Sequence, residues 1–191
     1  MNISYNTIME IHSLSLPEVK IIKPKKFGDS RGYFSETHNT KNLHENNLDL
    51  DFVQDNQSHS VEKNVLRGLH FQSPPFAQDK LVRCLSGSFL DVAVDIRKQS
   101  PNYGKYITEV ISEENFKQIL VPKGFAHGIL TLEPNTILLY KVTDYYSAEH
   151  DLGLLWNDET LSIPWGVDHS NVITSDKDKN QPNFKDFVSP F

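Results

Sequence analysis

Two short segments of this sequence each place a histidine beside a glycine and among apolar residues that favour β-strands. The first runs from Val65 to Gln72 and contains His70, and the second runs from Val121 to Gly128 and contains His127. Free histidine has a pKa of about 6.5, so near neutral pH its imidazole can accept a proton and return it. The two segments therefore predict an acid–base site inside a β-structure.

Cationic side chains surround the first histidine in the sequence. Arg67 precedes His70 by three residues, and Lys80 and Arg83 follow on the next predicted strand. Cations held in a buried pocket need an anionic ligand, because an unpaired buried charge is costly. We expect these cations and His70 to converge on a phosphate or an enolate.

The second histidine segment has the P-x-G-x-x-H spacing of a cupin motif, formed by Pro122, Gly124 and His127. In a metal-binding cupin an H-x-H pair and a glutamate would complete the ligand set. Here Gln72 stands where the second histidine of that pair would be, and no glutamate follows. Two histidines without a carboxylate make a poor divalent-metal site. We predict a pocket with no metal and no cofactor.

The remaining histidines are interpreted as hydrogen-bonded core or surface side chains: His12, His38, His44, His59, His150 and His169. Asp91 and Asp95 alternate with two valines, so both aspartates share one face of a strand. Of two interpretations, a solvated strand face is favoured over a polar barrel interior.

Short segments rich in Val, Ile, Leu, Tyr and Phe predict many short strands, which favours a barrel or a sandwich. The predicted strands are 19–24, 32–37, 52–60, 65–72, 80–85, 88–96, 106–111, 118–121, 126–132 and 137–145. Asn39 to Leu48 predicts a short helix anchored by Leu43, and Ser112 to Phe116 a capped turn. The polar tail from about residue 158 is expected to wrap the barrel.

Bulk composition restricts the class of protein. The chain has 191 residues, a net charge of −6 and 38% hydrophobic residues, which is typical of one globular domain. No basic run suggests nucleic acid or a membrane surface as a partner. Cys84 is the single cysteine, and the N-terminus lacks the apolar core of a signal peptide. We therefore expect a cytoplasmic protein.

Taken together, these motifs resemble the dTDP-4-dehydrorhamnose 3,5-epimerase family over nearly the whole chain. The matching segments are 27–32, 52–56, 64–72, 78–83, 91–97, 122–128, 139–141 and 155–158. The resemblance implies an all-β, cupin-type jelly-roll barrel with short peripheral helices. It also implies a homodimer in which N-terminal strands are exchanged between subunits.

The resemblance implies a role for each of four catalytic residues. His70 matches the family's base, and Tyr140 its proton donor on the opposite face of the sugar. Asp178 matches the carboxylate that orients the base, with Asp91 and Asp95 as lesser candidates. Lys80 is assigned to the developing enolate, since a preorganised cation stabilises charge that appears in the transition state.

Substrate contacts follow from the same resemblance. Tyr146 corresponds to an aromatic residue that stacks on thymine, while Arg67 and His127 correspond to substrate contacts. The full set of expected substrate-binding residues is Arg31, Glu36, Gln54, Asp55, Asn56, Arg67, His127, Tyr146, Asp151 and Lys177.

The implied reaction is cofactor-independent epimerisation at C3 and C5 of dTDP-4-dehydro-6-deoxy-D-glucose, which gives dTDP-4-dehydro-L-rhamnose. An epimerase acting at C3 alone is the nearest alternative. A ketoisomerase is less favoured, because related enzymes of that type have a second histidine where Gln72 stands. A binding module without turnover is the alternative from another class, since fold alone does not determine function.

Overall fold

Short strands make up most of the regular structure in residues 9–191, the part of the chain that the computed structural model describes. The strands are β1 (Met9–Ser13), β2 (Lys20–Pro24), β3 (Phe27–Asp29), β4 (Gly32–Phe34), β5 (Gln54–Ser60), β6 (Leu66–Gln72), β7 (Lys80–Ser86), β8 (Ser88–Asp95), β9 (Tyr106–Ser112), β10 (Gln118–Val121), β11 (Phe125–Thr131), β12 (Thr136–Val142) and β13 (Asp151–Gly153). The α-helices are α1 (Thr40–Glu45) and α2 (Asp176–Lys179), and two 3₁₀ turns span His169–Asn171 and Phe184–Asp186. No helix within 9–191 has the length and apolar character needed to cross a membrane.

Two antiparallel sheets form the body of the protein. The six-stranded sheet has the order β1-β2-β10-β7-β12-β5, and the five-stranded sheet has the order β13-β6-β11-β8-β9. Strands β3 and β4 form a separate two-stranded hairpin. Most neighbours within a sheet are distant in sequence, as in a jelly roll. The predicted all-β barrel is confirmed.

The central strands lie within a few residues of their predicted positions, and the differences are at sheet edges. Strand β1 was not predicted, because only Met9 and Ile11 alternate with polar residues, which is too short a pattern to separate from a polar N-terminal segment. Strands β3 and β13 were also not predicted, since each has only three residues. Helix α1 was predicted, and its N-cap Asn39 accepts a hydrogen bond from the Asn42 backbone N–H at 3.2 Å.

A hydrophobic core fills the space between the two sheets. It contains Phe89 and Ala93 of β8, together with Val82 of β7 and Ile119 of β10. Alternation along β8 therefore turns Asp91 and Asp95 toward the barrel interior, and both are 0% exposed. The favoured prediction of a solvated strand face was wrong.

A second core explains why that prediction failed. Val92 and Val94 lie on the outer face of the five-stranded sheet, beneath the C-terminal segment. Trp156 and Trp165 of that segment pack in the same cluster, and the Trp165 indole N–H donates to the Trp156 carbonyl at 2.8 Å. Both faces of β8 are thus covered, one by the other sheet and one by the chain after β13.

Candidate active site

A cavity of about 670 Å³ opens between the two sheets and collects most of the predicted catalytic and cationic residues. The predicted residues that line it are His70, Lys80, Tyr140, Asp178, Arg67, His127 and Lys177. Strands β6 and β11 of the five-stranded sheet supply the histidines, and strands β7 and β12 of the six-stranded sheet supply Lys80 and Tyr140. The four catalytic candidates, which lie far apart in the sequence, meet in this one cavity.

A bulge in β6 turns two of these side chains to the same side. His70 pairs with His127 and Arg67 with Ile129, so three steps along β6 match two along β11. Gly68 lies inside the bulge with φ +134°, and a Cβ there would come within 2.5 Å of the Gly128 Cα. Only glycine fits this close approach. The bulge lets both Arg67 and His70 line the cavity.

His70 is held by a buried carboxylate. Its Nε2 lies 2.5 Å from Oδ1 of Asp178, whose side chain is 4% exposed. Asp178 lies in α2, and its backbone N–H donates to the N-cap hydroxyl of Ser175 at 3.1 Å. Burial favours protonation of this carboxyl, but the hydrogen bonds from His70 and Ser175 outweigh it and hold the Asp178 pKa below its ordinary value. An ionised Asp178 can only accept, so in the neutral form of His70 the proton is on Nε2 and Nδ1 keeps its lone pair.

Lys80, on β7 of the six-stranded sheet, reaches across to β6, the strand that carries His70. Its Nζ donates to the His70 backbone carbonyl at 3.4 Å. Burial lowers the pKa of Lys80 to about 8, and the nearby carboxylates of Asp151 and Asp91 partly oppose this shift. Near neutral pH Lys80 is therefore a cation, but a poorly solvated one that gains from an anionic ligand.

Tyr140 faces the cavity from β12. Burial raises the pKa of its phenol above the ordinary value of about 10, and the negative charge of Asp151 adds to that shift. The positive charge of Arg67 lowers the pKa of Tyr140, but by less. The phenol is therefore protonated throughout the neutral range and can donate a proton into the cavity.

A second histidine–aspartate pair lies beside the first. His127 Nε2 is 2.8 Å from Oδ2 of Asp91, and Asp91 Oδ1 has no hydrogen-bond partner within the described residues. Asp95 instead forms an ion pair with Arg97 at 2.6 Å. Asp91 and Asp95 were lesser candidates for orienting His70, but one orients His127 and the other holds Arg97.

Arg83 does not converge on His70, which corrects the expectation for this cation. Residues 80 and 83 are three apart on a regular strand, so their side chains point to opposite faces of the sheet. Arg83 lines a separate cavity of about 320 Å³, together with Glu36 and Asp55. Asp55 accepts from Lys141 Nζ at 2.8 Å. The structure thus places the predicted substrate contacts Glu36 and Asp55 away from the His70 cavity.

A chain of polar contacts begins at Lys177 in the lining of the His70 cavity and continues outside that lining. Lys177 Nζ lies 2.5 Å from Oδ2 of Asp151, which also accepts from the Tyr146 hydroxyl at 3.1 Å. The Tyr146 backbone N–H donates to Gln54 Oε1 at 3.2 Å, and Gln54 Nε2 donates to Asn56 Oδ1 at 2.8 Å. These five predicted substrate contacts form one connected group.

Arg31 lies outside both cavities, on the hairpin of β3 and β4. Its guanidinium forms an ion pair with Asp29 at 2.5 Å, and its side chain is 87% exposed. The hairpin also exposes Phe27 and Phe34, which are 47% and 70% accessible. Arg31, a predicted substrate contact, therefore does not line the His70 cavity of its own chain.

Several lining residues were not predicted from the sequence. Ser58, His59, Thr174 and Ser175 all line the cavity, and Thr174 Oγ1 lies 3.4 Å from Asp178 Oδ2. His59 was interpreted as an ordinary surface or core histidine, and it does bond to Asn135 at 3.3 Å. Period-two alternation from Asn56 would have placed Ser58 on the cavity side of β5.

The described residues contain no group of three or more His, Cys, Asp or Glu side chains arranged to hold a metal ion. The absence of a metal and of a cofactor remains a prediction.

Known proteins match this sequence over almost the full length of the chain. The sequence model of the dTDP-4-dehydrorhamnose 3,5-epimerase family matches residues 13–186. The Sinorhizobium fredii dTDP-4-dehydrorhamnose 3,5-epimerase is 51% identical over 175 residues, which cover 92% of this chain and 89% of the relative.

Solved structures give the same result. The Bacillus anthracis dTDP-4-dehydrorhamnose 3,5-epimerase with TDP and PPi bound has a TM-score of 0.89 at 47% identity and covers 92% of this chain and 99% of its own. The Legionella pneumophila dTDP-6-deoxy-D-glucose-3,5-epimerase in complex with dTDP-4-keto-L-rhamnose has a TM-score of 0.89 at 41% identity, with 94% and 95% coverage. The chain belongs to the dTDP-4-dehydrorhamnose 3,5-epimerase family.

Proposed function

We propose that this protein epimerises C3 and C5 of dTDP-4-dehydro-6-deoxy-D-glucose, without a cofactor, to give dTDP-4-dehydro-L-rhamnose. The observation that carries the proposal is the His70–Asp178 pair on one wall of the cavity, with Tyr140 on the facing sheet. A base and an acid on opposite walls suit a reaction that removes a proton from one face of a carbon and replaces it on the other.

The reaction uses the acidity of the substrate's own ketone. Nδ1 of His70 takes the proton from C3, and the C–H electron pair moves into the C4 carbonyl to form an enolate. Asp178 stabilises the imidazolium that results, as an aspartate does in a catalytic triad. The Lys80 cation stabilises the enolate oxygen, where charge appears only as the proton leaves.

Tyr140 completes the inversion. Its phenol donates a proton to the opposite face of the carbon, and the electron pair of the enolate returns to form the new C–H bond. The Tyr140 phenolate then regains a proton and His70 loses one, so the same pair can act at C5. The raised pKa of Tyr140 keeps its phenol protonated until the enolate forms.

We infer that the diphosphate and the thymine of the substrate lie toward the mouth of the cavity. Arg67 and Lys177 supply positive charge along its lining, and Tyr146 supplies an exposed aromatic ring next to Asp151. Charge-assisted bonds to phosphate and stacking on the thymine would anchor the nucleotide while C3 faces His70. Because these contacts are the same before and during proton transfer, they lower KM more than they raise kcat.

We also propose a homodimer in which each hairpin of β3 and β4 completes the partner's cavity. The support is the exposed apolar hairpin that carries Arg31 outside this chain's own cavity. Exposed aromatic residues clustered with an arginine are typical of an interface.

Incubation of the purified protein with the keto sugar in heavy water tests the proposed reaction. Deuterium should enter at both C3 and C5, and NMR should show the L-rhamno configuration. Deuterium at C3 alone would identify a C3 epimerase, a moved carbonyl would identify a ketoisomerase, and no exchange with retained nucleotide binding would identify a binding module.

A further inference from the structure

We infer that Gln72 is a positioning residue that fixes the loop carrying Tyr146 and thereby sets how the nucleotide base is held. The inference rests on the proposed function, in which the Tyr146 ring stacks on the base. Gln72 is 4% exposed, and its carboxamide is bonded to three backbone groups.

The bonds of Gln72 enclose Tyr146 on both sides. Its Nε2 donates to the carbonyl of Tyr145 at 3.1 Å, and its Oε1 accepts from the N–H of Ser147 at 2.7 Å. The second N–H of the same amide donates to the Phe76 carbonyl at 2.7 Å. One side chain thus binds the backbone immediately before and immediately after Tyr146, and ties both to the loop between β6 and β7.

Tyr146 needs such support because its ring is not packed. The residue is 60% exposed, so the path of its backbone decides where the ring stands. Its hydroxyl bonds to Asp151, which in turn binds the cavity residue Lys177. The ring is therefore fixed from two directions, by its hydroxyl, which Asp151 connects to Lys177 of the cavity lining, and by the peptides that Gln72 binds.

Gln72 also connects the proposed thymine site to the catalytic histidine. It lies two residues after His70 on β6, so the two side chains leave the same face of one strand about 7 Å apart. The strand that carries His70 therefore also holds the loop of Tyr146. Only an amide suits this position, because it must donate to two carbonyls and accept from an N–H.

Gln72→Glu tests the inference with almost no change in shape. A carboxylate can still accept from Ser147 but repels the carbonyls of Tyr145 and Phe76, so the loop should be released. We expect KM for the dTDP-linked keto sugar to rise about tenfold while kcat stays within about twofold, as when uniform binding is lost. Tyr146→Ala should give a similar rise in KM.

The double variant decides whether Gln72 acts through Tyr146. If it does, Gln72→Glu should add less than about a twofold change in KM to Tyr146→Ala, since the two residues then act as one unit. Multiplicative effects, a fall in kcat or an unchanged KM in Gln72→Glu would each overturn the inference. An unchanged KM in Tyr146→Ala would overturn both the inference and the proposed base site.

A matched control separates this effect from a general loosening of the loop. Gln78 Nε2 donates to the Asp144 carbonyl at 2.8 Å, on the same loop but outside the peptides that flank Tyr146. Gln78→Glu should change KM less than about threefold, and a larger rise would contradict the special role of Gln72. Gln72→Met, which keeps the length of the side chain, should repeat the KM rise. Failure of both Gln72 variants to fold would mean that the residue is structural, and the inference would be wrong.

Discussion

The cavity holds two histidine–aspartate pairs, yet their surroundings differ. His70 receives its carboxylate from α2 in the C-terminal segment, whereas His127 receives Asp91 from the neighbouring strand of its own sheet. His70 also faces Tyr140 across the cavity and lies next to Lys80. These neighbours favour His70 as the base and His127 as a fixed polar contact.

The pH dependence of catalysis should reveal Lys80. A lysine is charged below its pKa, and burial lowers this one to about 8. The cation needed for the enolate is therefore lost as pH rises through about 8, and kcat/KM should fall there. The pKa of Tyr140 is raised above its ordinary value, so deprotonation of the phenol comes at higher pH. A pH profile of kcat/KM measures this alkaline limb.

Lys80→Arg identifies the group responsible. Arginine stays charged at every accessible pH, so the variant should lose rate at neutral pH but also lose the fall near pH 8. An alkaline limb at the same pH in both proteins would assign it to a group other than Lys80.

At the scale of elements, the C-terminal segment both covers a sheet and delivers a catalytic candidate. Leu154 pairs with Leu69 of β6 through its backbone at 2.9 Å and is 0% exposed in the second core. The segment continues through the two tryptophans to α2, which carries Asp178. Packing of this segment is therefore a condition for the His70–Asp178 pair.

Leu154→Ala should lower the free energy of unfolding by about 3 kcal/mol, because it leaves a cavity in a fully buried cluster. Denaturant unfolding followed by circular dichroism measures the change. Val188→Ala, in the same segment but 82% exposed, should change stability by less than about 0.5 kcal/mol. Equal effects of the two substitutions would show that the segment is not packed as a core.

Sequence periodicity predicted the central strands well, because they alternate or are continuously apolar. It could not say which face of β8 is the interior, since that depends on the segment that covers the valines from far along the chain. The bulge at Gly68 is likewise set by close contact with Gly128. The position of Arg83 could have been predicted, because alternation along the strand already places its side chain on the other face of the sheet from Lys80. His70 was identified as a candidate by its motif and its cationic neighbours, whereas its role as the base, and Tyr140 and Asp178, came from the resemblance.

At the scale of the whole molecule, the net charge of −6 does not prevent anion binding. Arg67, Lys80 and Lys177 line one cavity, and charges focused in a cleft outweigh distant, screened surface charge. The hairpin with Arg31 lies elsewhere on the surface, and in the proposed homodimer it completes the partner's cavity.

Subunit complementation tests that arrangement. Arg31→Ala and His70→Ala should each be nearly inactive alone. The two variants are then mixed in equal amounts, unfolded and refolded together. Half of the dimers should contain one chain of each variant, and one of the two sites in such a dimer is intact. About a quarter of the wild-type number of active sites should therefore be regained. No recovery, with dimers present by light scattering, would place Arg31 in the site of its own chain or in no site.

The central claim is that His70 removes the substrate protons, and solvent exchange in His70→Ala tests it most directly. Deuterium incorporation at C3 and C5 should disappear, while the dissociation constant for dTDP, measured by calorimetry, should stay within about threefold of wild type, since the base contributes little to nucleotide binding. Exchange near the wild-type rate in this variant would contradict the account and show that another group is the base.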